Sequence, residues 1–129
     1  MPTLANEPNY DALMRANAER VFSEPDPAKR LAAMAELWAP DGTLFEQQEA
    51  VSGHEAISES VGALLRQLPP ETVFTPAGPA MGHHGLGLLR WAAGRRGGAP
   101  GPVSGTDIAL IKDGRIHELY VFLDPTMSE

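Results

Sequence analysis

Residues 103–123 read VSGTDIALIKDGRIHELYVFL, and this stretch carries the strongest fold signal in the sequence. Two strand-like runs, Val103–Ile111 and Ile116–Leu123, flank the dipeptide Asp113-Gly114. Asp-Gly accommodates the positive backbone φ angles that a two-residue β-turn needs. The stretch therefore predicts an antiparallel hairpin.

Both faces of the predicted hairpin are largely apolar. The face with Asp107 is otherwise mostly aliphatic, and the opposite face carries four large side chains: Ile108, Leu110, Tyr120 and Phe122. An antiparallel sheet with one face in water usually alternates apolar with polar residues. Because helices can cover only one face, we expect a second copy of the chain to cover these four residues, which predicts a homodimer.

Three amphipathic helices are predicted upstream of the hairpin. The first covers Tyr10–Phe22, the second begins after the N-cap Asp26 and ends at the turn 40–42, and the third follows a capping box at 52–55. Further strands are predicted at three places: Thr43–Glu46, Thr72–Thr75 and Leu86–Trp91. Helices followed by an antiparallel meander place the chain in the α+β class.

Length and composition fit one globular domain, which we expect to span residues 1–129 with a core over about 10–125. The chain is 43% hydrophobic and has a net charge of −7, which disfavours a nucleic-acid partner. Its apolar runs fall far short of the ~20 residues that span a bilayer, so we expect no membrane partner. With no cysteine and no apolar leader, we expect a cytoplasmic location.

A set of short motifs extends along nearly the whole chain. They are Trp38–Thr43, Gly53–Ile57, Arg90-Trp91, Gly105-Thr106-Asp107, Asp113–Ile116 and Phe122-Leu123-Asp124. In order and spacing this set resembles the nuclear-transport-factor-2-like superfamily, in its SnoaL-like and ketosteroid-isomerase-like branch. The resemblance implies a cone-shaped, curved antiparallel sheet packed on three N-terminal helices around a pocket. One fold of this kind hosts many activities, so the resemblance alone does not specify one.

The resemblance also implies which side chains surround the pocket. The implied lining residues are Phe22, Trp38, Leu44, Ala109, Leu119, Val121 and Leu123. We also expect His84, Arg90 and Trp91 at the pocket, with Trp38 and Trp91 as either core or pocket walls. An apolar cavity with a few polar groups is the usual composition of a small-molecule site. We therefore expect a small hydrophobic ligand or substrate.

Asp107 is the first candidate for a catalytic residue. Aspartate is depleted in strand interiors, and a buried carboxylate needs a partner or a retained proton. In ketosteroid-isomerase-like enzymes the matching residue is a protonated aspartic acid that donates to an oxyanion. The alternative is a structural Asp107 that is held by Arg90 or His84.

Glu46 and His117 are the other two catalytic candidates. By its distance from Gly42, Glu46 falls where ketosteroid-isomerase-like proteins place the general base, although a solvated loop residue is the alternative reading. His117 or His84 facing Asp107 would form an acid–base pair. The histidines lack metal-ligand spacing and no phosphate-binding motif is present, so we expect no metal and no other cofactor.

Two positions depart from the patterns of known relatives. The resemblance places the oxyanion tyrosine of the isomerase at Ala18, which makes steroid isomerisation doubtful. The Arg-x-Asp motif of the related limonene epoxide hydrolase has Gly105 in its arginine position. Two function classes follow: an isomerase- or cyclase-type enzyme that transfers protons on a carbonyl compound through Asp107, or a non-catalytic ligand-binding or dimerisation module.

Overall fold

Three helices pack on one seven-stranded sheet in a computed structural model that describes residues 7–98, 101 and 103–125. The helices are α1 (Tyr10–Asn17), α2 (Pro27–Leu37) and α3 (His54–Gln67). The Asn9 side chain caps α1 and the Asp26 side chain caps α2, each by accepting a backbone N–H. None of the described helices is long and apolar enough to span a bilayer. Residues 1–6 and 126–129 of the expected domain lie outside the described residues.

The start of α3 differs from the predicted capping box. Its N-cap is Gly53, with a φ of 92° and no side-chain hydrogen bond to the helix end. A φ in this range favours glycine, which has no Cβ to clash with the backbone. The helix was therefore predicted at the right place but for the wrong local reason.

The strands form a single sheet with the order β2-β1-β7-β6-β5-β3, and β4 also pairs with β5. Their bounds are β1 (Trp38–Glu46), β2 (Glu49–Ser52), β3 (Thr72–Pro76), β4 (Met81–His83), β5 (Leu86–Arg95), β6 (Val103–Lys112) and β7 (Arg115–Leu123). The predicted α+β class and the hairpin of β6 and β7 are confirmed. Neighbouring strands are antiparallel except β1 and β7, which run parallel. These two strands are joined by most of the chain rather than by a tight turn, so nothing local forces them to be antiparallel.

The first strand begins earlier than the sequence predicts. Helix α2 ends at Leu37 and β1 starts at the next residue, so the expected turn at 40–42 lies inside the strand. There the pairing with β7 shifts register between Trp38 and Thr43. Proline is tolerated at such an irregularity because it need not donate to the ladder. Gly42 is required by close packing, since a Cβ at this position would lie 2.8 Å from the indole of Trp38.

A bulge near the start of β7 changes which of its residues face the core. Leu110 pairs with Glu118, but Ile111 pairs with Ile116, so His117 has no partner of its own. Such an extra residue interrupts the period-two alternation of a strand. Ile116 and Leu119 are consequently both fully buried, while His117 is half-buried. The predicted placement of His117 on the same face as Leu119 assumed an unbroken strand.

The side chain of Ser23 fastens the first helix to the sheet. Helix α1 continues into a wider, π-helical turn over Ala18–Phe22. The buried Ser23 hydroxyl donates to the carbonyl of Ala18 at 2.8 Å and accepts the backbone N–H of Phe74 at 2.8 Å. Strand β3 is at the sheet edge, so this hydroxyl satisfies a backbone group that no neighbouring strand can reach.

We expect Ser23→Ala to lower the free energy of unfolding by about 1–3 kcal/mol, because it leaves the buried N–H of Phe74 without an acceptor. Urea denaturation followed by circular dichroism measures the change. The control variant is Ser60→Ala on α3, which we expect to stay within about 0.5 kcal/mol of wild type. Equal stability of the Ser23→Ala variant and wild type would contradict the role given to this hydroxyl.

Candidate functional site

A cavity of about 730 Å³ opens between the π-helical turn, the end of α3, the concave face of the sheet and the hairpin of β1 and β2. Its volume lies within the usual range for small-molecule sites. Its main apolar lining residues are Phe22, Leu64, Phe74, Trp91, Val121 and Leu123. Its polar lining residues are Glu46, Gln47, Gln48, Glu49, Gln67 and Asp107.

Three aromatic rings form one wall of the cavity. The ring of Phe74 meets Trp91 edge-on, with 5.2 Å between centroids and an interplanar angle of 86°. Phe22 meets the other side of Phe74 at 6.4 Å and 88°. Edge-to-face contacts of this kind fix ring orientations in addition to burying apolar area. The wall therefore presents a defined apolar surface to a ligand.

Asp107 lies in the middle of β6 and reaches the cavity from the concave face of the sheet. Only 6% of the residue is exposed, and its Oδ1 accepts a hydrogen bond from Trp91 Nε1 at 2.9 Å. Burial raises the pKa of Asp107 from 3.8 to about 7, and the Trp91 hydrogen bond opposes part of this rise. Both protonation states are therefore accessible near neutral pH, as an acid–base group requires.

The structure rejects the two ion-pair partners considered for Asp107. Arg90 is exposed and pairs with Asp124 on the rim at 3.7 Å. Adjacent residues of a strand point to opposite faces, so Trp91 faces the concave side and Arg90 does not. His84 is exposed in the turn before β5, where its Nδ1 lies 2.9 Å from Nδ1 of His83. Neither predicted pocket residue, Arg90 or His84, lines the cavity.

Glu46 lies at the end of β1, half-buried at the edge of the cavity. A tight turn brings Glu49 directly opposite Glu46 on β2. Burial raises the pKa of Glu46, and the charge of Glu49 together with a hydrogen bond between the two carboxyl groups raises it further. Glu46 is therefore a cavity residue rather than a freely solvated one, and its role as a base stays a prediction.

The other predicted site residues divide between the cavity and the core. Phe22, Trp91, Val121 and Leu123 line the cavity. The core beneath it contains four predicted pocket residues, each fully buried: Trp38, Leu44, Ala109 and Leu119. His117 is not among the residues that line the cavity, because of the bulge in β7. The four core residues share another cause, since the end of the concave face near Trp38 is filled by helix side chains.

Sequence reasoning missed the wall formed by α3 and β3. Leu64, Gln67, Leu68 and Phe74 line the cavity, and so does the turn between β1 and β2. The apolar stripe of α3 was visible at Leu64 and Leu68, but the same spacing describes a core helix. A helix that lines a cavity differs from a helix in the core only in its packing distance from the sheet. The periodicity of the sequence does not indicate that distance.

The two departures from the patterns of relatives have structural consequences. Ala18 does line the cavity, so the position that the resemblance gives to the isomerase tyrosine carries a methyl group. At Gly105 a Cβ would lie 2.6 Å from the Trp91 ring and would also clash with the carbonyl oxygen of Phe122. An arginine does not fit there, so the charge cluster of the epoxide hydrolase cannot form. Among the described residues, no three His, Cys, Asp or Glu side chains come together as metal ligands.

We expect the stability of the protein to depend on pH through Asp107. Because the folded state holds the proton more tightly than the unfolded chain, stability falls as pH rises from about 4 to about 7 and levels off above. An Asp107→Asn variant, which keeps an oxygen for Trp91, loses this dependence. Its free energy of unfolding should exceed that of wild type by about 4 kcal/mol above pH 7 and equal it below pH 4, as measured by urea denaturation.

The matched control is Asp41→Asn, which removes the same charge from an exposed position on β1. We expect it to keep the pH dependence of wild type, because Asp107 is unchanged. An Asp107→Asn variant that also kept this dependence would show that Asp107 is solvated and outside the cavity.

Comparisons with known proteins place this geometry in a family. A family model described as the SnoaL-like domain matches residues 12–119. No curated protein matches the sequence at a significant level. The fold is similar to a candidate isomerase of the SnoaL-like family from Agrobacterium tumefaciens str. C58, with a TM-score of 0.81 and 21% identity over 91% of this chain and 98% of that chain.

Two further solved structures show the same fold. One is a candidate polyketide cyclase from Sinorhizobium meliloti, with a TM-score of 0.65 and 22% identity over 85% of this chain and 93% of that chain. The other is a candidate ketosteroid isomerase from Kribbella flavida DSM 17836, with a TM-score of 0.68 and 14% identity over 94% of this chain and 82% of that chain. Sequence identities this low support only a shared fold, whereas the family model matches most of the chain. The protein therefore belongs to the SnoaL-like domain family.

Proposed function

We propose that the protein binds a small apolar molecule in the cavity and that Asp107 transfers a proton on a carbonyl compound, in an isomerase- or cyclase-type reaction. The observation that carries the proposal is the position of Asp107 in the cavity wall, with no cationic partner among the described residues and a pKa raised to about 7. The proposal requires no metal and no other cofactor. The cytoplasmic location stays a prediction.

The chemistry follows from the two protonation states of Asp107. In the protonated state it donates to the carbonyl oxygen of a ligand, which stabilises the negative charge that develops when a neighbouring C–H bond breaks. In the ionised state it accepts the proton from that carbon. Glu46, with its raised pKa, is the second acid of the cavity and takes the complementary role. The Trp91 hydrogen bond holds the Asp107 carboxyl in place through either step.

The second candidate is a ligand-binding module without catalysis. Ala18 favours it, because the cavity lacks the hydroxyl that the resemblance assigns to this position. A proton-transfer site with one donor instead of two stabilises a developing oxyanion less. Both candidates share the apolar cavity, so binding alone does not separate them.

Exchange of α-hydrogens separates the two candidates without knowledge of the natural substrate. We expect the wild-type protein to speed the exchange of the α-hydrogens of β-tetralone, an apolar cyclic ketone, in deuterated buffer. Asp107→Asn should slow the catalysed exchange by a factor of about 100 or more, since general acid–base catalysis typically contributes 10²–10⁴. Proton NMR follows the exchange, and calorimetry measures ketone binding in parallel.

Asp41→Asn serves again as the control, and its exchange rate should equal that of wild type. Ketone binding by wild type without faster exchange would support the binding module instead. Equal exchange rates for wild type and Asp107→Asn, both above the uncatalysed rate, would exclude Asp107 as the acid–base group.

We also propose that the convex face of the sheet pairs two copies of the chain. Phe45 stacks on Tyr120 across β1 and β7, with 4.5 Å between ring centroids. Phe122 and Leu86 on the same sheet are 53% and 51% exposed. Exposed apolar side chains that group on one face of a sheet can mark an interaction surface.

Sedimentation at micromolar concentration should therefore show a species of twice 13.8 kDa, about 28 kDa, as expected for a closed two-fold dimer. Phe122→Glu should shift the protein to the monomer, because it places a charge in the apolar interface. Phe122 is exposed in the monomer, so the variant keeps its circular dichroism spectrum. A wild-type protein that sediments only as a monomer would contradict the proposed pairing.

A further inference from the structure

The Asp107 carboxyl lies between two apolar cross-strand neighbours. Leu89 lies opposite it on β5 and Val121 lies opposite it on β7. Neither side chain can donate a hydrogen bond. Among the residues that the structure describes, the one donor to the carboxyl is Trp91, which lies two residues along β5 from Leu89 on the same face. Aromatic side chains can span such a diagonal distance between neighbouring strands.

The indole of Trp91 reaches Asp107 because Gly105 leaves its path free. Gly105 is the residue directly opposite Trp91, and a Cβ there would lie 2.6 Å from the ring. Phe74 meets the same ring edge-on, with 5.2 Å between centroids, and Trp91 is only 5% exposed. Contacts on two sides therefore fix the ring, with its N–H directed at Oδ1 of Asp107 at 2.9 Å.

This hydrogen bond makes the two oxygens of Asp107 inequivalent. An indole N–H donates and never accepts, so the oxygen that it contacts is an acceptor in both protonation states. Oδ1 is that oxygen, and in the neutral carboxyl it is the carbonyl oxygen, which leaves the acidic proton on Oδ2. No described group donates to Oδ2, and no described side-chain N or O atom is both fully buried and unpaired. Oδ2 therefore keeps accessible surface in the cavity that Asp107 lines.

We propose that Trp91 is a positioning residue, whose indole N–H holds Oδ1 of Asp107 so that Oδ2 alone exchanges a proton with the ligand. This inference rests on the proposed function, since it concerns the acid–base group of the same cavity. In the base step the α C–H bond of the ligand breaks, Oδ2 takes the proton, and the electron pair stays on the ligand as an enolate. The same hydrogen bond lowers the pKa of Asp107, which burial raises, because a donor stabilises the charged carboxylate.

NMR of the indole N–H groups tests the hydrogen bond in the wild-type protein. The sequence contains two tryptophans, so the spectrum has two indole signals. We expect the Trp91 signal to shift with pH around a midpoint of about 7, because its acceptor becomes charged there and the hydrogen bond becomes stronger. Trp38 donates to the Asn17 amide at 2.8 Å and should not titrate, so it is the internal control.

Asp107→Asn assigns the titration to this acid, because it keeps an oxygen for Trp91 and removes the charge. The other ionisable side chains of the described lining are Glu46 and Glu49, and neither contributes to the raised pKa of Asp107. The variant retains both glutamates. We expect its Trp91 signal to be independent of pH.

The pH profile of β-tetralone exchange tests the effect on proton transfer. Trp91→Phe keeps an aromatic ring in the wall and removes the N–H. At saturating ketone we expect its midpoint to move up by about one pH unit, because the carboxylate loses a charge-assisted hydrogen bond. Its maximum rate at high pH should fall about tenfold, since the carboxyl is no longer fixed toward the ligand.

Two further variants separate the hydrogen bond from the ring. Gly105→Ala should move the midpoint in the same direction as Trp91→Phe, because its methyl group displaces the indole. Trp38→Phe is the matched control, since it makes the same substitution and removes an indole hydrogen bond in the core. Its midpoint should equal that of wild type. Circular dichroism checks that each variant is folded, and the titration of the wild type decides the inference for any variant that is not.

The possible results separate this inference from the proposed function. A Trp91 signal that does not titrate would overturn the inference, even if the wild-type protein speeds ketone exchange. A Trp91→Phe variant with the midpoint and maximum rate of wild type would also overturn it, because Trp91 would then be only a wall of the cavity. If the wild type does not speed exchange, the proposed function fails and the inference fails with it. The exchange rate of wild type and the titration of Trp91 therefore identify which of the two has failed.

Discussion

The hydrogen bond from the Trp91 indole to the Asp107 carboxyl is the interaction on which the site depends. It joins β5 to β6 across the concave face, and it lets a carboxyl group lie within an apolar wall. The indole extends over the position opposite Trp91 in the register, which is Gly105. Trp91, Gly105 and Asp107 therefore form one unit, in which glycine is needed because a larger residue would displace the ring that holds the acid.

The cavity exists because the helices cover only part of the concave face. At the Trp38 end, the helix side chains fill the space, and the indole of Trp38 donates to Asn17 at 2.8 Å. At the other end, the Ser23 hydroxyl holds the π-helical turn against β3 and fixes Phe22 beside Phe74. The same sheet therefore carries a packed core at one end and an open site at the other.

Period-two alternation was sufficient to predict the part of the site on β6, because that strand is regular and an aspartate among aliphatic residues stands out. The alternation failed on β7, where a bulge shifts His117 out of register. It also failed at β2, whose four mostly exposed residues show no clear alternation. The wall from α3 and β3 was also missed, since an apolar stripe is the same whether it faces a core or a cavity. Fold class depends on patterns repeated along the chain, whereas the site depends on single distances.

The acids of the cavity explain why the site is held by such specific packing. A buried carboxyl group with one hydrogen bond, and two facing glutamates, each reduce the stability of the empty protein. The T-shaped contacts of Phe74, the Ser23 bridge and the fit of Gly105 under Trp91 stabilise the same region and offset that loss. A ligand that forms a hydrogen bond with Asp107 regains stabilisation that the protein alone does not have. Binding to the folded state would then be favoured by relief of the electrostatic cost already present in the empty cavity.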